Sequence, residues 1–186
     1  GFDSLMAIEL RRRLEQKTGI RLDIGALLEL GSPARIGRAL NESFVEQPPA
    51  PPAPPAVTAA TGMDALTHAI ETYVSRSAQP LTMPLALEAI RLIAKWLRRA
   101  VAHGSDLEAR RHMANASMMA GLAFANGFLG GVHAIAMAMG GQFGVAHGVA
   151  NALMLPYVME FNEMAATERF ARIAEAMDES VEGLSE

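Results

Sequence analysis

The chain contains no cysteine. Disulfides, thiolate metal sites and a cysteine nucleophile are therefore excluded. Aromatic residues are scarce, at 5 %, and β-branched residues are few, which removes the usual material of a packed sheet. No basic block or aromatic-interleaved patch offers a nucleic-acid surface. No apolar stretch is as long as a membrane span, and no basic-then-apolar leader opens the chain. A soluble, cytoplasmic protein without nucleic-acid or membrane partners is the default expectation. Residue 1 is a glycine lying inside a motif, so the N-terminus reads as cut.

What is present is an apolar half (51 %) dominated by Ala, Leu and Met. These residues lose little freedom in a helix, so the expected fold class is all-α. A length of 186 residues allows one ordinary domain or two small ones. The net charge of -4 is mild and spread along the chain. Residues 1–46 read as a compact helical segment. Residues 47–57 (QPPAPPAPPAV) hold most of the ten prolines. Alternating Pro and Ala favours polyproline II, so residues 47–60 read as a semi-rigid linker.

Residues 61–186 read as a multi-helix domain. The first helix is expected over Gly62–Val74, ending before Ser75–Pro80. The second covers Pro84–Ala102, with Leu87, Ile90, Ala94, Leu97 and Val101 as its apolar stripe. Ser105 or Asp106 caps a third helix that runs to about Asn126 and is ended by Gly127, Gly130 and Gly131. A fourth covers Val132–Met139 and is stopped by Gly140, Gly141 and Gly144. A fifth starts near His147, and a weaker last helix covers Thr167–Met177.

Asp64 and His68 are four residues apart in a helical stretch, so their side chains share one face. His133 and His147 are fourteen apart. On one continuous helix they would lie roughly 21 Å apart, too far for one ion. The glycines at 140, 141 and 144 let the chain turn and return His147 to the same region. Three imidazoles and a carboxylate suit Zn²⁺ or Fe²⁺ with a position left open for a substrate oxygen. Spacing alone is suggestive, since single histidines are more often surface or core residues. His103, at a helix end, and His112, beside Arg110 and Arg111 on an expected solvated face, need no function. Met113, Met118, Met119, Met137, Met139, Met154 and Met159 read as adaptable packing rather than a copper site.

TGMDALTHAIE followed by GGVHAIAMAMGGQFGVAHGVANALMLP resembles the iron-containing (group III) alcohol dehydrogenases. The resemblance continues through PLALEAIRLI, the SDLEAR run and MAGLAFANG, over roughly residues 60–175. It implies metal ligands at Asp64, His68, His133 and His147. It also implies the family's chemistry, in which the metal polarises an alcohol or aldehyde oxygen while hydride passes to or from NAD(P). Two departures stand out. Met137 occupies the place where the family usually has a second histidine, and Met cannot handle a proton. The family's nucleotide-binding half does not precede the helical part, so NAD(P) would bind only if that domain were supplied, and the far end also stops early.

GFDSLMAIELRRRLEQKTGIRL, continued by LLELGSPARIGRAL, resembles part of a polyketide-synthase acyl carrier domain. The resemblance implies 4′-phosphopantetheine on Ser4, with Asp3 capping the helix and Met6, Leu10 and Leu14 forming its buried stripe. The carrier's first long helix is missing, so a loosely ordered segment is expected. Three functions follow. The first is the metal-binding part of an NAD(P)-dependent alcohol or aldehyde oxidoreductase within a synthase-like polypeptide, inactive alone. Its partners would be an alcohol, aldehyde or carrier-bound acyl substrate and neighbouring synthase domains. The second is a carrier module with a helical passenger, and the third a non-catalytic metal-binding remnant.

Overall fold

The computed structural model describes residues 12, 15–16 and 51–179. The chain divides into two compact units, Gly1–Pro51 and Pro52–Glu186. In the first, Arg12, Glu15 and Gln16 are helical. Ser4, Asp3 and the Met6, Leu10, Leu14 stripe lie outside the described residues.

The second unit is a bundle of five helices with no strand among the described residues: α1 Pro55–Val74, α2 Thr82–Ala102, α3 Leu107–Gly127, α4 Gly131–Phe143 and α5 His147–Ala176. The all-α expectation therefore holds. Helix α1 is the hub, packing against α2, α3 and α5, while α4 packs on α5. It begins inside the stretch read as linker. Pro54 is the N-cap and Pro55 enters the first turn, where a missing N–H costs nothing. The prolines that argued for a spacer thus start the helix.

Alanine sets how closely the helices approach. Ala65, Ala69, Ala86, Ala89, Ala100, Ala109, Ala116, Ala120 and Ala123 are all buried, around Ile90, Ile93, Leu66, Tyr73 and Trp96. The line of deepest burial on α2 runs through Ala86, Ala89, Ile93, Trp96 and Ala100. Of the expected Leu87–Val101 stripe, Ile90 is fully buried with this line, while Leu87 and Leu97 sit half-buried at its edge. Small side chains let backbones close in, and the bulkier neighbours flank the contact.

Helix ends follow local chemistry. Asp106 caps α3, accepting from the N–H groups of Glu108 and Ala109 at 3.1 Å each. Its carboxylate also pairs with Arg99. Helix α4 runs through Gly140 and Gly141 and ends only at Gly144. There the backbone is left-handed (φ 67°), which glycine adopts without strain, and the Gly144 N–H reaches Gly140 O at 3.1 Å. Helix α5 absorbs both of the last two expected helices. Its geometry breaks at Ala166 (φ -143°, ψ 23°), one residue before the expected start of the last one. Beyond the break, Arg169 donates to the carbonyls of Tyr73 and Ser75 at 3.1 and 2.8 Å, placing a cation at the C-terminus of α1.

Candidate metal centre

Three of the four expected ligands converge. Asp64 comes from the middle of α1, His133 from the first turn of α4 and His147 from the first residue of α5. Asp64 Oδ1 lies 3.5 Å from His133 Nε2 and 3.5 Å from His147 Nε2. Their ligating atoms all fall within 4.8 Å of one another. An ion about 2.1 Å from each donor holds such atoms about 3 to 3.5 Å apart, and the two Asp64–imidazole separations match that spacing.

Helix α5 reaches this point because Gly148 has no side chain. A Cβ there would come within 2.2 Å of Ala60 O, one turn before Asp64 on α1. The two helices therefore meet backbone against backbone, and His147 is delivered beside Asp64.

His68 is adjacent but does not share the convergence. Its ring lies against that of His133 at 4.3 Å between centroids and stacks on Phe124 at 4.7 Å. Its Nδ1 is 3.9 Å from Asp64 Oδ2.

Two buried polar residues that the sequence reading did not single out complete the surroundings. Asn151, one turn along α5 from His147, is fully buried. Its amide nitrogen lies 2.5 Å from Asp64 Oδ1 and 3.2 Å from each of the facing Nε2 atoms of His133 and His147. Its Oδ1 is buried and has no partner among the described residues. Glu71, two turns along α1 from Asp64, is also buried. Its Oε2 is 2.6 Å from His133 Nδ1, and its Oε1 accepts the Val132 N–H at 2.7 Å.

The donor set fits a divalent cation. With both imidazoles neutral and their facing nitrogens unprotonated, as a bound cation requires, three acceptor atoms meet one amide nitrogen that carries only two hydrogens, so hydrogen bonding cannot satisfy all three. A cation has no such directional limit, and two imidazoles with a carboxylate suit iron or zinc.

Electrostatics point the same way. Burial by itself would lower His133, but hydrogen bonds to Asp64 and Glu71 and their charges outweigh it and raise the group to about 9. Burial would raise Asp64, yet the His133 hydrogen bond and the charge of His68 hold its carboxyl below the usual range. Glu71 is lowered against burial by His133 and by the backbone N–H groups of Gly130 and Val132. His68 is lowered, first by burial. The pocket draws positive charge to the point between Asp64, His133 and His147.

The remaining histidines are accounted for. His103 closes α2, its N–H bonding Arg99 O at 2.9 Å. His112 is not on a solvated face: it is half-buried and stacks on Trp96, 4.4 Å between centroids and 10° from parallel. Among the methionines, Met113, Met119, Met154 and Met159 pack against the core, while Met118 and Met137 are exposed.

Residues 58–186 match the model of the Fe-containing alcohol dehydrogenase family, C-terminal. That stretch is well over half of the chain. The chain belongs to the iron-containing alcohol dehydrogenase family. Residues 1–40 separately match the phosphopantetheine attachment site. Among family members, 1,3-propanediol dehydrogenase of Klebsiella pneumoniae is 58 % identical over 125 residues, which are 67 % of this chain and 32 % of the relative. NAD-dependent methanol dehydrogenase of Bacillus methanolicus is 53 % identical over 125 residues, 67 % of this chain and 33 % of the relative. The fold matches the solved structure of a 1,3-propanediol oxidoreductase at a TM-score of 0.70 and 57 % identity, over 71 % of this chain and 35 % of that one. An alcohol dehydrogenase from Oenococcus oeni matches at 0.70 and 51 %, over 71 % and 34 %. The chain thus spans about a third of the length of the iron-containing alcohol dehydrogenases it matches. No single helix among the described residues is long and apolar enough to cross a membrane.

Proposed function

We propose that residues 61–186 are the metal-holding part of an NAD(P)-dependent alcohol or aldehyde oxidoreductase, joined to a phosphopantetheine carrier segment at residues 1–46. The observation that carries this reading is the convergence of Asp64, His133 and His147 around one point. These residues would hold Fe²⁺ or Zn²⁺, and His68, whose ring lies beside them against His133, would turn a ring nitrogen toward the ion as the fourth ligand. When bound, the ion supplies Lewis acidity toward an alcohol or aldehyde oxygen.

This chain's own residues set the conditions for that chemistry. Asp64 contributes the negative charge, and His133 and His147 turn ring nitrogens toward it. Phe124, stacked on His68, gives the site an apolar wall that favours substrate over water. Met137, one turn along α4 from His133, is 71 % exposed and contributes no proton-handling group. The family relatives named above support an alcohol or aldehyde as substrate. Because the match covers a third of their length, hydride transfer is expected only when a nucleotide-binding domain is supplied, and this polypeptide alone should not reduce aldehydes with NADH.

Metal analysis of the purified chain tests the reading. One equivalent of iron or zinc is expected, and His133→Ala should remove it. Full occupancy in that variant would show the ligand set to be wrong.

The match of residues 1–40 favours a second reading, a carrier module whose useful chemistry is a thiol tethered to Ser4, with a non-catalytic metal-binding passenger. A polyketide-synthase-like polypeptide is the setting we infer for either. Incubation with a phosphopantetheinyl transferase should add the 4′-phosphopantetheine mass at Ser4. Aldehyde reduction by the chain once a nucleotide-binding domain is supplied would decide against a mere passenger.

A further inference from the structure

Glu71 is a buried carboxylate that none of the chemistry above uses. It lies three residues after His68 and seven after Asp64, on the α1 face that carries both. Its two oxygens have separate partners on α4: Oε1 takes the Val132 N–H at 2.7 Å and Oε2 meets His133 Nδ1 at 2.6 Å. Helix α4 has no side-chain cap of its own. The carboxylate of Glu71 therefore serves its N-terminus from another helix, where free N–H groups favour an anion. The backbone allows this approach because residue 130 is glycine. A Cβ at that position would come within 2.8 Å of Glu71 Oε1.

One consequence concerns the His133 ring. Helix α1 brackets it, with Glu71 against Nδ1 and Asp64 Oδ1 3.5 Å from Nε2. A neutral imidazole carries its proton on one nitrogen and presents a lone pair on the other. At 2.6 Å from a carboxylate oxygen, a lone pair on Nδ1 would be repelled, while an Nδ1 proton makes a strong charge-assisted bond. The carboxylate cannot swivel to relieve a mismatch, since its other oxygen is held by Val132.

We propose that Glu71 is a positioning residue that fixes the Nδ1–H form of His133, so that Nε2 is the nitrogen offered to a divalent cation shared with Asp64 and His147. This rests on the metal reading given above. Glu71 touches no substrate and acts only through His133, orienting a ligand from outside the coordination shell.

The test uses the full chain, freed of metal with chelator and then titrated with Co²⁺. Affinity and the visible absorption of the bound ion are the readouts. In Glu71→Gln the amide carbonyl can still accept the Val132 N–H, so the fold should persist by circular dichroism. The amide NH₂ then faces Nδ1 and drives the proton to Nε2. Co²⁺ affinity is expected to fall about 10- to 100-fold, with an altered absorption spectrum. Affinity within twofold of wild type, with an unchanged spectrum, overturns the proposal. If Glu71→Gln fails to fold, nitrogen NMR of the Zn²⁺-loaded wild type still decides the matter. A protonated Nδ1 on His133 supports the proposal, and a bare Nδ1 overturns it. A wild-type chain that takes up no Co²⁺ at all defeats the metal reading itself, and this inference with it.

Discussion

Asn151 places its amide hydrogens at the point where Asp64, His133 and His147 meet. Its N–H bond to the Asp64 carboxylate is the kind whose removal leaves a part-buried charge short of a partner, a cost of about 1 to 3 kcal/mol. A cation bound at the same point would supply that positive charge instead. Asn151→Ala should therefore lower Tm clearly in chelator and much less in saturating Zn²⁺. Equal losses in the two conditions would mean that Asn151 only fills space. The sequence held a signal for this residue: Asn151 follows His147 by four, the spacing that joins His68 to Asp64. Glu71 continues the Asp64 and His68 face by one more turn. Neither stands out in the sequence, because a Glu or Asn on a helix is usually solvated and burial is decided by neighbours far along the chain. His68 shows the converse limit. Its spacing from Asp64 predicts a shared face, which is observed, but the ring direction is set by Phe124, 56 residues away in sequence.

At the level of elements, the centre depends on how closely α5 crosses α1. The crossing is set at Gly148, where an added Cβ would meet Ala60 O at 2.2 Å and Ala60 C at 2.6 Å. Backbone atoms in mid-helix cannot give way, so Gly148→Ala must push the start of α5 outward and His147 with it. Overpacking of this kind costs about 1 to 3 kcal/mol. We expect a lowered Tm together with a Co²⁺ affinity reduced at least tenfold, the two measured on the same preparation. A stable variant with wild-type affinity would show that His147 does not depend on the crossing. Most of the element order was legible: caps such as Asp106, the proline at position 84 and the glycines around 127–131 punctuate the helices strongly. The bounds of α1 and α4 differ from expectation for one reason: Pro and Gly do not stop a helix wherever they occur. Pro55 starts α1, and Gly140 and Gly141 are carried inside α4 at a modest propensity cost until a left-handed residue ends it. On α2 the buried face takes in Ile90 of the expected stripe but is shifted toward Ala86, Ala89, Ile93 and Ala100, where small residues let the helices close in.

At the scale of the whole chain, the matched third of the family carries a face that its own helices leave open. Along α5, Leu153, Tyr157, Phe161 and Met164 are 54, 63, 84 and 95 % exposed, and their spacing of four, four and three puts them on one side of the helix. Single exposed apolar residues are ordinary, but a continuous stripe of four is a surface that water covers at a cost of about 25 cal/mol per Å². Glu160, three residues after Tyr157, sets one exposed carboxylate on the same side, but the net charge of -4 is small and spread out. The expected behaviour of the isolated polypeptide is reversible self-association through this stripe, seen as a concentration-dependent sedimentation coefficient. Replacing Phe161 with Glu and Met164 with Lys puts two opposite charges into the stripe without touching a buried residue. Helix α5 and the metal centre should survive, as judged by circular dichroism and Co²⁺ uptake. The dissociation constant for self-association should rise at least about tenfold, equivalent to about 1.4 kcal/mol. Unchanged sedimentation in the double variant would place the association elsewhere. A wild-type chain that stays monomeric throughout would show that the stripe is tolerated in water.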